Sequence, residues 1–99
     1  PEIYYTDGLR QMFEDHLTYL KTHSKTTSAA VSSFDAYKYE GDFYGLLEKM
    51  KIAKHFHWII MRVNDMTNMN QSKSTLSTIL VPDFELMERL KNVYRTKKK

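Results

Sequence analysis

The chain contains no cysteine, which excludes a disulfide framework and any zinc site built on thiolates. No apolar run approaches the roughly 18 residues that a bilayer-spanning helix needs, so no membrane span is expected. The N-terminal Pro1-Glu2-Ile3-Tyr4-Tyr5 lacks the basic and apolar segments of a signal peptide. A start at Pro1 fits removal of an initiator methionine, and the expectation is a protein made and used without export. No Gly-rich phosphate loop and no Gly-x-Ser-x-Gly occurs. Glycine is scarce, at three residues, so its placement beside an aspartate at 41–42 is informative.

What is present describes an ordinary folding chain. The 99 residues are 41% apolar and 27% charged, which argues against disorder of the whole and for one small domain. A chain of this size buries roughly two-thirds of its unfolded surface, enough for a modest core but not for a roomy cleft. The net charge of +3 comes from Lys97, Lys98 and Lys99. Such a tail is usually solvated, so nucleic acid is not an expected partner.

The spacing of Leu9, Met12, Phe13, His16, Leu17 and Leu20 predicts an amphipathic helix over 7–22, with Asp7 at its start. The hydroxyl-rich segment 23–34 has no helical stripe and predicts an extended polar linker. Residues 34–39 alternate, with Tyr37 and Tyr39 on one side, and predict a short strand. Phe43, Leu46, Leu47 and Met50 then predict a helix over 43–51. Phe56, Ile59, Ile60 and Val63 predict another over 52–64, with Trp58 at the edge of the stripe. A polar loop follows, then a strand over 76–82 and a helix opened by Pro82-Asp83. Phe84, Met87, Leu90 and Tyr94 line one face of that helix; Leu86 and Val93 widen it. The domain reading is a helical arm over 1–22, a linker over 23–34, a core over 35–83 and a basic-tailed helix over 84–99.

Gly41-Asp42 suits a sharp entry into a helix. Glycine takes a positive φ at little cost, and the aspartate caps the helix by accepting from its first N–H groups. With these elements in place, Tyr37, Gly41-Asp42, Leu46-Leu47, Ile52, Asn64 and Leu80-Val81-Pro82 resemble, in order and approximate spacing, a LysM module. The resemblance covers about 46 residues and implies an α+β fold, a β-α-α-β core with flanking terminal helices. It marks Gly41, Asp42, Asn64, Pro82 and Asp83 as turn and cap residues.

The carbohydrate-binding version usually has threonine where this chain has Phe43, and Gly-Gln or a similar pair near Ser74-Thr75-Leu76-Ser77. The loop from Met66 to Lys73 also departs from the usual glycan-contacting loop. "YEGDFYGLL", "HFHWIIMRVND" and "ILVPD...ERLKNVYRT" resemble instead the LysM-like modules of small tailed-bacteriophage virion proteins, notably baseplate wedge subunits. That resemblance implies a structural virion protein of the baseplate, tail or neck, made in the host cytoplasm. Its implied partners are other virion subunits in a symmetric multi-copy assembly. Peptidoglycan or chitin binding is the alternative, and nucleic-acid binding the third.

The chemical candidates carry bland readings. His55 and His57 would share a metal on a strand, but on the expected helix they point about 200° apart. His16 and His23 have no organised carboxylates beside them. Asp35, Glu40 and Asp42 offer paired carboxylates, yet general acid–base work needs a desolvated one. The expectation is therefore no catalytic residue, no metal and no cofactor. The seven tyrosines and the methionines suit core or interface use. The terminal helices place Leu9, Met12, Phe13, Leu17, Leu20, Tyr19, Leu86, Leu90 and Tyr94 as the expected subunit interface.

Overall fold

The computed structural model describes the backbone of residues 7–98 and the side chains of residues 8–94. The first six residues and the side chains of the lysine tail lie outside the described residues. Along the chain run α1 (Asp7–Asp15), α2 (Leu17–Thr22), β1 (Thr27–Ala30), α3 (Ser33–Lys38), α4 (Phe43–Lys49) and α5 (His57–Val63). A 3-10 turn at Lys54–Phe56 leads into α5; β2 (Thr78–Val81) and α6 (Phe84–Lys98) follow. β1 and β2 pair antiparallel, Thr27 opposite Val81 and Ala30 opposite Thr78. The class is α+β: six helices and a two-stranded sheet among the described residues.

The single helix expected over 7–22 is broken at His16. Its ring Nδ1–H donates to the Met12 carbonyl at 2.7 Å, the acceptor that the His16 backbone N–H would use in an unbroken helix. That N–H bonds the Phe13 carbonyl instead, at 3.0 Å, which tightens the turn before α2. Leu9, Phe13 and Leu20 remain on one side and are buried.

Two further expectations change places. The segment expected as a linker contains β1, and the segment expected as a strand is helix α3. In β1, Thr27, Ser28 and Ala30 are exposed and only Ala29 is partly covered, so no apolar alternation marks the strand. Its pairing with β2 makes it one, and the paired unit reaches back to Thr27 rather than starting at 35. α3 forms because Ser32 caps it, accepting from the Asp35 N–H at 3.1 Å. Ala36 is its one buried residue. Phe34 and Tyr37, three apart, share a helix side that faces solvent.

The core is assembled around α4 and α5. Phe43, Leu46 and Leu47 meet Ile59, Ile60 and Val63, with Ile79 from β2 and Leu86 and Met87 from α6. Both central helices end in a left-handed residue, Lys51 (φ 65°) and Asp65 (φ 66°). Each end is closed by a bond to a carbonyl five residues back, Ile52 to Leu47 and Met66 to Met61, both at 3.1 Å.

The terminal helices fold onto this core. Arg62 of α5 grips the Glu14 carboxylate with two N–H donors at 2.6 and 3.1 Å and the Met66 carbonyl with a third at 2.7 Å. Arg10 lies over the Trp58 ring, 5.6 Å from its centre. Gly8 of α1 packs so closely on the Tyr94 hydroxyl of α6 that a Cβ there would collide with it.

Candidate functional site

The residues marked for turns and caps form two structural devices. At the corner between α3 and α4, Gly41 takes φ +75° and its N–H donates to the Ser72 carbonyl at 2.7 Å. The corner joins helix to helix, rather than strand to helix as expected, because α3 replaces the strand. Asp42 Oδ1 accepts from the Gly45 N–H at 2.9 Å and caps α4. Gly45 makes room for that cap: a Cβ there would strike the Asp42 carboxylate.

The second device is Asn64, at the end of α5. Its Nδ2 donates to the Ile60 carbonyl at 2.8 Å and to the Leu80 carbonyl at 2.9 Å, while its Oδ1 accepts from the Leu80 N–H at 2.8 Å. One carboxamide thus ties the helix end to both backbone groups of a residue in β2. Beyond that strand, Pro82 is buried and Asp83 Oδ2 caps α6 by accepting from the Leu86 N–H at 3.0 Å.

The candidates for chemistry are occupied elsewhere. Asp35 pairs with Lys49 at 2.9 Å, and that bond holds its carboxyl below the usual range, so it is no proton donor near neutrality. Asp42 serves its cap, and Glu40 is exposed. His55 faces Glu88 of α6 at 3.1 Å. His57 is buried, and its Nε2–H donates to the Ile52 carbonyl at 2.8 Å. The Tyr44 ring meets it edge-on, centres 5.0 Å apart. Desolvation pushes the His57 imidazole below its ordinary value, and its Nδ1 is buried with no hydrogen-bond partner. Among the described residues, no three of His, Cys, Asp and Glu gather closely enough to hold a metal ion. No helix among them is long and apolar enough to cross a membrane.

Most residues expected at a subunit interface are covered within the chain. Leu9, Phe13, Leu20 and Leu86 are buried in the chain's own core, and Met12, Leu17, Leu90 and Tyr94 pack against it. The stripe of α1 and α2 is covered by the chain itself, and that of α6 is covered in part, with Phe84 and Val93 left exposed. Of that set, only Tyr19 stays largely exposed, at 47%. Among the described residues, the large exposed apolar side chains are Phe34 (69%), Tyr37 (73%), Phe84 (42%) and Val93 (47%), together with Tyr19. The Ser32-x-x-Asp35 cap with aromatics three apart was the signal for α3 and its exposed pair. The segment joining α5 to β2 lines an open groove of about 750 Å³, in part with Asn70, Gln71, Lys73, Thr75 and Ser77. Comparison with protein-family models, with curated proteins and with solved structures found no match to the chain.

Proposed function

We propose that the chain is a structural subunit of a tailed-bacteriophage virion, a baseplate wedge or tail or neck component, working by protein–protein assembly and not by catalysis. In this reading β1, α4, α5 and β2 form a LysM-like core in which α3 is an added corner helix. Asp42 and Asn64 are then among the turn and cap residues that the resemblance implies. Partners are other virion proteins, and no cofactor takes part.

The observation that carries the assembly reading is the exposure of Phe34 and Tyr37 on α3, at 69% and 73%. Aromatic side chains that the chain's own core does not cover are the usual anchors of a protein interface. They displace the terminal helices as the contact surface. A second reading, a peptidoglycan- or chitin-binding module, is favoured by the groove along the segment joining α5 to β2, whose amide and hydroxyl side chains suit sugar hydroxyls. Phe43 speaks against it, because the residue after Gly41-Asp42 is wholly buried and offers nothing to a ligand.

Quantitative mass spectrometry of banded, nuclease-treated particles tests the proposal. The chain should appear at a fixed copy number relative to the tail proteins. Its presence in infected cells but absence from particles would overturn the virion role. Saturable co-sedimentation with purified peptidoglycan would transfer the lead to the glycan reading.

A further inference from the structure

The two edges of the sheet are finished differently, and the difference follows from the register. Ser28 stands opposite Leu80, and both backbone groups of Leu80 are turned to Asn64, away from β1. In an antiparallel ladder the two residues of such a pair point their N–H and C=O groups to opposite outer edges. The bonded pairs are therefore Thr27 with Val81 and Ala29 with Ile79; the Val31 N–H continues the series to the Ser77 carbonyl at 2.9 Å. The N–H and C=O groups of Ser28 and Ala30 consequently face outward, and among the described residues none bonds them. Both residues are exposed.

Chains normally protect such an edge with a charge, a proline or a covering element. Here residues 26–34 contain no charged residue and no proline. The strand side chains are Thr, Ser, Ala and Ala, small enough for another backbone to approach closely.

We propose that the outer edge of β1 pairs with the same edge of a second copy of this chain, antiparallel about a twofold axis at Ala29. The register is self-complementary: Ser28 of each copy meets Ala30 of the other. All four outward N–H groups then donate to the four outward carbonyls, and two short sheets become one four-stranded sheet. Isologous twofold contacts of this kind are the commonest route to a homo-oligomer. The pairing is independent of the virion reading, since a free edge pairs in solution as it does in a particle.

The test uses the purified whole chain. Sedimentation at rising concentration, up to the millimolar range, should show the mass climbing from one chain toward two. Ser28→Pro removes an outward N–H that the β1–β2 ladder does not use. It should preserve the circular dichroism spectrum and weaken association at least about tenfold. Ala29→Cys supplies a second probe in a chain otherwise free of cysteine. The paired Cα atoms would lie about 4.5 Å apart, within reach of a disulfide, so mild oxidation should give a covalent dimer. A single-chain mass at every concentration, or association that Ser28→Pro leaves intact, overturns the proposal. So does an Ala29→Cys chain that stays monomeric on oxidation, which keeps the test decisive even where the proline variant fails to fold.

Discussion

The two sides of the sheet are built from equally short strands and treat the facing residues Ser28 and Leu80 differently. On the β2 side, one asparagine at the end of α5 satisfies both outward backbone groups of Leu80 and ties that helix end to the strand. On the β1 side, Ser28 and Ala30 leave theirs in solvent, and α3 beyond them exposes two aromatics. The difference teaches where this chain spends its hydrogen bonds. The outward groups of Leu80 are satisfied beside the apolar core, whereas those of Ser28 and Ala30 are left open.

Substitutions can break the contrast from its strongest point. Asn64→Ala strips three hydrogen bonds and leaves both backbone groups of Leu80 without their partner, while the Ile60 carbonyl keeps the backbone N–H of residue 64. It should cost about 3 kcal/mol in urea unfolding. Next comes the corner. Gly41→Ala forces a side chain into positive φ, and Asp42→Ala removes the cap of α4; each should lose about 1 kcal/mol. Gly45→Ala gives a sharper test, because helix propensity alone would make it stabilising. Its Cβ displaces the Asp42 carboxylate, so the net change should be a loss of about 1 kcal/mol.

The closed side also responds to acid. His57 has its folded value pushed below the ordinary 6.5 by desolvation, so the native state binds fewer protons than the unfolded chain within that window. Stability from this residue is complete above 6.5 and declines as pH falls below it toward the folded value. Glu48, Lys54 and His55 are the charged or titratable groups acting on the ring, beside Tyr44. A His57→Gln chain should lack the portion of the acid slope that the wild type shows in parallel thermal melts. The smallest effect is expected on the open side, where Ser28→Ala should change monomer stability by less than about 0.5 kcal/mol.

Legibility in the sequence followed the range of the interaction. Gly41-Asp42 and Pro82-Asp83 could be read because a cap needs only its own next few residues. The stripes of α4, α5 and α6 could be read because helical spacing is local. β1 and α3 were exchanged because a strand of Thr, Ser and Ala carries no burial pattern of its own and exists through a partner some fifty residues away. Its neighbour α3 buries only Ala36, so its aromatics repeat without reporting a core face. The sequence marked Asn64 as a position but not its bond to Leu80, which needs the register. The terminal stripes were visible as apolar, yet their spacing does not distinguish a partner's groove from the chain's own.

Amide hydrogen exchange on a dilute, monomeric sample tests the unequal edges most directly. The account predicts a Leu80 amide that exchanges only on global unfolding, beside Ser28 and Ala30 amides exchanging nearly as fast as in a flexible peptide. Slow exchange at Ser28 in the monomer, or a Leu80 amide as fast as Ser28, would contradict it.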